Sequence, residues 1–333
     1  MDLRRASGGV RSWNSLDHRL LSCDAFGIGG AGARRQFAVR ERIRVPCRRR
    51  AANTFAMLKL LFLGDIVGEP GRRAVIESVP RLREERGIDF VVVNGENSAN
   101  GRGITPKITI DLLRAGIAVI TSGDHIWDQK EIVPFIDTEP RLLRPLNYPP
   151  ATPGAGSIVL ETPKGKVGVI NVQCRTFMNP PLENPFLAME AEVARLRAET
   201  PIIFVDVHGE TTSEKIAMGR FLDGRVSAVC GTHTHTQTAD EQIFPGGTAF
   251  LCDAGMCGPS ESCLGREIAP IIERFIKCRP VVYPVARGPV RMLGAIVEID
   301  EQTGRALSIE RFSERYDPPE AGVTPSAAKA ATA

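Results

Sequence analysis

From Met57 onward the chain alternates short apolar runs with longer amphipathic stretches. The runs Leu58–Leu63, Phe90–Val93, Ala118–Thr121, Ser157–Leu160, Val167–Val172, Ile202–Val207 and Val226–Cys230 have strand length. Such short apolar runs predict buried strands. Between them Gly71–Arg86, Pro106–Ala115, Pro185–Ala198 and Ser213–Phe221 read as helices. Pro70 ahead of the first and Thr105-Pro106 at the second are start signals, because a proline in the first turn forfeits no helical hydrogen bond. Near the end, Gly294–Ile299 and Ala306–Phe312 flank Asp300-Glu-Gln-Thr-Gly304, a hairpin signal. Strands alternating with helices predict a layered α/β fold. Residues 57–316 contain no repeat and no linker, so they are read as one domain.

Both ends break this pattern. Residues 1–56 hold 12 arginines against four acids and show no sustained apolar period. They are expected to be a disordered, Arg-rich extension, an organelle-targeting segment or the product of an over-called start, with Met57 as the true one. Residues 317–333 are Pro/Ala-rich and are expected to be a disordered tail. The overall charge of +3 therefore hides an acidic body, with 30 bases against 35 acids beyond residue 56. An acidic body with only 6% aromatics argues against stable nucleic-acid binding. No run approaches the ~18 apolar residues of a membrane span. The eight cysteines include no Cys-x-x-Cys pair, which suits reduced thiols and a cytoplasmic setting.

Polar residues cluster just after the apolar runs. Asp65 follows Leu-Phe-Leu-Gly, and Glu96-Asn97 follow Val-Val-Val-Asn-Gly. Asp124-His125 follow Val-Ile-Thr-Ser-Gly, His208 follows Phe-Val-Asp-Val, and His233 and His235 follow Ala-Val-Cys-Gly-Thr. In open α/β sheets the carboxyl ends of strands are where ligands bind. Of five histidines only His18 lies elsewhere. Carboxylate, amide and imidazole donors without thiolate suit iron or manganese, with zinc also admitted. Two such ions can clamp a phosphoryl group and generate hydroxide at neutral pH. On an extended segment the rings of His233 and His235 point apart, whereas on a turn both can address neighbouring ions.

The order Gly64-Asp65, Gly95-Glu96-Asn97, Gly123-Asp124-His125, His208, Gly231-Thr232-His233-Thr234-His235 resembles the calcineurin-like metallophosphoesterases. The longer blocks FLGDIVGEPGR, VVVNGENSANGRGIT, SGDHIWD, DVHGETTSEK and GTHTHTQTADE resemble their YmdB-type branch, the bacterial 2′,3′-cyclic-nucleotide 2′-phosphodiesterases. The resemblance runs from Met57 to about Tyr316. It implies an α/β fold, a sandwich of two mixed β-sheets flanked by helices, with a dinuclear centre. Asp65, Glu96, Asn97 and His235 would hold one metal. Glu96, Asp124, His208 and His233 would hold the other, with Glu96 bridging and His125 donating a proton. The family usually has Asn at the position of Asp124, so this centre would carry one more negative charge.

The implied reaction converts a small-molecule 2′,3′-cyclic nucleotide to the nucleoside 3′-phosphate, with His125 protonating the departing 2′ oxygen. A phosphomonoesterase, a broader phosphodiesterase and a weakly active metal-binding regulatory protein remain alternatives, and a homo-oligomer is compatible. The Gly95–Gly103 stretch is either a phosphate-approaching loop or a plain one. Leu251–Pro259 is expected to form a substrate wall; Arg175 and Arg266 either pair with phosphate or, the favoured reading, lie on the surface.

Overall fold

The computed structural model describes residues 57–317; the expected N-terminal extension 1–56 and tail residues 318–333 lie outside the described residues. The order is β1 (Met57–Leu63), β2 (Asp65–Ile66), α1 (Gly68–Arg86), β3 (Phe90–Asn94), α2 (Pro106–Arg114), β4 (Val119–Thr121) and a short α3 (Ile132–Phe135). Next come β5 (Ser157–Thr162), β6 (Gly165–Gln173), α4 (Pro185–Arg197), β7 (Ile202–His208), α5 (Thr212–Phe221), β8 (Ala228–Thr232), β9 (Gln242–Ile243) and β10 (Ala249–Leu251). Then follow β11 (Met256–Pro259), α6 (Ile268–Lys277), β12 (Val290–Asp300) and β13 (Ala306–Tyr316).

Two sheets result. One contains β2, β11, β12, β1, β3 and β4 in that order, with β13 on the other edge of β12; the second runs β5-β6-β7-β8-β10-β9. β1, β3 and β4 are parallel, as are β6, β7, β8 and β10, so each sheet gathers several strand carboxyl ends at one edge. The two-residue period of a strand sends alternate side chains to opposite faces. Along β1, Leu58, Leu60 and Phe62 enter the core between the sheets, while Leu61 and Leu63 pack outward with Val75, Val79 and Leu82 of α1. The Phe62 and Phe204 rings meet 4.8 Å apart across the sandwich. Met189, Val193 and Leu196 of α4 and Met218 of α5 cover the far face of the second sheet.

Local chemistry sets the element ends. Thr105 caps α2, its hydroxyl accepting from the Ile108 amide, with Pro106 in the first turn. Asn184 and Pro185 do the same for α4. α1 starts at Gly68, so Pro70 lies inside its first turn instead of ahead of it, and Gly87 closes it in the left-handed region at φ 63°. The strand expected at Val226–Cys230 lies at Ala228–Thr232, because pairing with β7 extends to His208 and carries Gly231 and Thr232 into the ladder. No helix among the described residues is long and apolar enough to cross a membrane.

Candidate metal centre

Every expected donor reaches the carboxyl edge of the sandwich. Asp65 opens β2, Glu96 and Asn97 lie in the turn after β3, and Asp124 follows β4. His208 is the last residue of β7, and His233 and His235 follow β8. The first sheet thus supplies the oxygen-bearing side chains and the second supplies the imidazoles. His233 and His235 have φ of 97° and 61°, so the segment is a turn and not an extended strand.

The donors form two groups. Glu96, Asp124, His208 and His233 bring one ligand atom each within 4.8 Å of one another; Asp65, Glu96 and His235 do the same. Glu96 belongs to both. His208 Nε2 lies 3.1 Å from Asp124 Oδ1, 3.3 Å from Glu96 Oε2 and 3.1 Å from His233 Nδ1. Asn97 joins the second group: its Nδ2 lies 3.2 Å from His235 Nε2 and donates to Glu96 Oε1 at 2.8 Å. The backbone closes in tightly at Gly123, where a Cβ would sit 2.2 Å from His208 Nε2 and 2.3 Å from Glu96 Oε2. Any side chain there would fill the centre.

Neighbouring hydrogen bonds fix the imidazole tautomers. The Thr232 hydroxyl donates to Asp206 Oδ1 at 2.7 Å and so accepts from His208 Nδ1 at 3.0 Å. Asp206 Oδ2 takes further donors from Thr121 and Asn94. His235 Nδ1 donates to the Leu264 carbonyl at 3.2 Å. His208 therefore turns an Nε2 lone pair toward the carboxylates of Asp124 and Glu96, a repulsive arrangement that a cation between them reverses, while His235 Nε2 faces the Asn97 amide. The protonation balance agrees. Burial pushes His208 down to about 3, keeping it neutral. Burial and then the charge of Asp253 push Asp65 up to about 7. Burial and then Asp124 and Asp65 raise Glu96 well above its ordinary value. Asp65 Oδ1 is buried with no hydrogen-bond partner. Buried carboxylates crowded together, one with an orphaned oxygen, and facing imidazole lone pairs fit bound cations.

His125 stands outside both groups. Its Nδ1 lies 3.0 Å from Asp128 Oδ2, a carboxylate that also accepts from Arg102 Nε at 2.8 Å. Burial first, then Arg102, hold the His125 pKa below its ordinary value against the pull of Asp124 and Asp128. Glu96, Asn97, His125, His233 and His235 border one cavity of ≈ 410 Å³. A second hollow of ≈ 480 Å³, beside Glu69, Arg73, Arg287 and Tyr316, contains none of the donors.

Two expectations are corrected. Leu251–Pro259 does not wall the cavity: none of it borders the cavity, Leu251, Cys252, Asp253 and Ala254 are buried, and the segment runs from the end of β10 through β11. Its β10 part is drawn inward by parallel pairing with β8, and Asp253 faces the histidine turn. Arg266 is not a free surface residue; it borders the cavity and donates to the carbonyls of Asn100, Gly101 and Tyr283. The sequence reading also missed a buried ion pair. Lys215 Nζ lies 2.8 Å from Asp253 Oδ2, which accepts from the Thr234 amide and hydroxyl at 3.2 and 2.8 Å. A lysine on a helix carries no local signal of such a role.

Comparison with known proteins identifies the family. Residues 61–312 match the YmdB-like protein family. The chain is 48% identical over 255 residues to the 2′,3′-cyclic-nucleotide 2′-phosphodiesterase of Bacillus subtilis (strain 168), covering 77% of this chain and 96% of that one. A novel phosphatase from Mycoplasma pneumoniae superposes with a TM-score of 0.74 at 33% identity, over 79% of this chain and 95% of that one. A hypothetical protein from Thermus thermophilus superposes with a TM-score of 0.73 at 37% identity, over 78% and 100%. Fold and sequence thus converge, and the chain belongs to the YmdB-like family of metallophosphoesterase-fold proteins.

Proposed function

We propose that the protein is a metal-dependent phosphodiesterase that opens 2′,3′-cyclic nucleotides to nucleoside 3′-phosphates. The observation that carries this reading is the carboxylate of Glu96, shared by two donor groups. Glu96, Asp124, His208 and His233 would hold one ion; Asp65, Glu96, His235 and Asn97, its amide turned to present oxygen, would hold the other. Iron or manganese suits these donors, with zinc also accommodated, and a bound pair supplies Lewis-acid polarisation of the phosphoryl oxygens and acidifies the attacking water.

The chain's own residues do the rest. As water adds to phosphorus and the bond from phosphorus to the ribose 2′ oxygen breaks, that oxygen takes the Nε2 proton of His125 in its doubly protonated form, and the proton released by the attacking water recharges the ring. Asp128 holds Nδ1 and aims the ring. An alkoxide is a poor leaving group, so the proton transfer matters most for a natural sugar.

Turnover of 2′,3′-cyclic, 3′,5′-cyclic and monoester nucleotides by the metal-loaded protein tests the reading. Fastest hydrolysis of the 2′,3′-cyclic substrate, with 3′-phosphate as product, is expected. Faster monoester cleavage would make the protein a phosphatase, and a loaded but inert protein would make it a metal-binding regulator. His125→Ala tests the acid separately. It should keep both metals and lose roughly 10²–10⁴-fold in kcat on the nucleotide, but far less on a nitrophenyl diester. Lost metal, or equal slowing on both substrates, would remove His125 from that role.

A further inference from the structure

The excursion between β11 and β12 has an unusual composition for a segment that joins two strands. α6 presents Ile268, Ile271, Ile272, Phe275 and Ile276, yet none of its residues is buried. Phe275 is 78% exposed. Apolar side chains on a helix ordinarily cover a core, and this helix covers none. Ile271, Arg274 and Phe275 share one face at i, i+3 and i+4, and all three border the ≈ 410 Å³ cavity that contains the metal donors. Tyr283 completes that side, with the Arg274 guanidinium 5.8 Å from its ring centroid.

The excursion is fastened to the centre. The Leu264 carbonyl accepts from His235 Nδ1. Arg266 binds the carbonyls of Asn100 and Gly101, just beyond Glu96-Asn97, and that of Tyr283. Gly101, at φ +85°, leaves room for the guanidinium, which a Cβ would meet at 2.2 Å. The aromatic side of the cavity is thus tied by hydrogen bonds both to a metal-donor histidine and to the loop bearing Glu96. One end of the cavity is charged and imidazole-rich; the other is apolar, aromatic and guanidinium-bearing. A molecule with a phosphate at one end and a flat aromatic ring at the other matches both.

We infer that the α6 excursion is the nucleobase-recognising wall of this enzyme, with Phe275 as its stacking platform and Arg274 and Tyr283 beside it. The inference rests on the nucleotide reading of the site and adds where the base is held. A cavity of about 400 Å³ is within the range of small-molecule sites. Aromatic and guanidinium planes stack on any base, so the wall favours nucleosides over bare sugars and discriminates weakly among bases.

The test compares adenosine 2′,3′-cyclic phosphate with methyl riboside 2′,3′-cyclic phosphate, which lacks the base, in the metal-loaded wild type, Phe275→Ala and Phe275→Trp. Wild type should prefer the nucleotide in kcat/KM. Phe275→Ala should cut that preference about tenfold, within the range of base–aromatic stacking, through KM, and Phe275→Trp should restore it. Equal kcat/KM for the two substrates in wild type would overturn the wall and leave the phosphodiesterase reading standing. A preference that survives Phe275→Ala, or an equal loss on both substrates, would also overturn the wall. So would a shift in the elution volume of Phe275→Ala with its preference intact, which would make Phe275 a contact between copies. No turnover of either substrate by the loaded wild type would overturn both readings.

Discussion

A single hydroxyl decides which nitrogen His208 offers. Thr232 spends its proton on Asp206 and takes one from Nδ1, so Nε2 is left bare toward the carboxylates. Thr232→Val keeps the shape and removes the relay. Outer contacts of this kind typically change metal affinity by about 10–100-fold, and that loss is expected here, with Thr232→Ser restoring the wild-type value. Competition against a chelator measures it; equal retention by the valine variant and wild type would show that the tautomer is set elsewhere. That these side chains meet at one edge was legible from sequence because chemistry-bearing residues follow apolar runs in a fixed order. Asp206 and Thr232 were not assigned because their work depends on β7 and β8 lying side by side. Asp128 was not assigned because nothing in Asp-His-Ile-Trp-Asp shows that the turn returns its carboxylate to His125.

At the level of elements, the long pieces followed the written periodicity and the short ones did not. β1, β3, β6, β7 and the β12–β13 hairpin are apolar runs with turn residues between them. β2 and β9 have two residues each, too few for any period, and exist only because a neighbouring strand offers free backbone groups. α6 was missed although its isoleucines recur at helical spacing; Pro270 interrupts the pattern, yet it sits in the first turn, where no helical hydrogen bond is lost. The Lys215–Asp253 pair shows how one element serves another: α5 reaches through the sheet to brace the turn carrying His233 and His235. Both residues are 1% exposed. Lys215→Met strands a buried carboxylate, which costs on the order of 3–5 kcal/mol. Thermal unfolding should show that drop, and Lys215→Met/Asp253→Asn should recover part of it, since no lone charge remains. A double variant no more stable than the single one would mean the pair is not the brace.

Across the whole molecule, the centre couples stability to pH and metal together. Asp65 and Asp206 are each pushed up to about 7, first by burial. An unfolded chain releases those protons near pH 4, the folded one only near 7. Without metal, stability therefore falls as pH rises between those values and levels off above. Metal requires the ionised ligands, so its stabilising effect grows over the same interval. The gap in Tm between manganese-loaded and chelator-treated protein should widen from pH 5.5 to 7.5. A gap that does not change with pH would contradict the raised carboxyls.

Oxygen donors on one sheet and nitrogen donors on the other would make a bound ion a rivet through a seam. Neither leaf of the sandwich holds a mixed site alone, and in the extended chain Asp65 and His235 are far apart. Capture would therefore wait until the leaves have closed. The choice of metal would then be made by a finished mould, and not by whichever ion the nascent chain meets first.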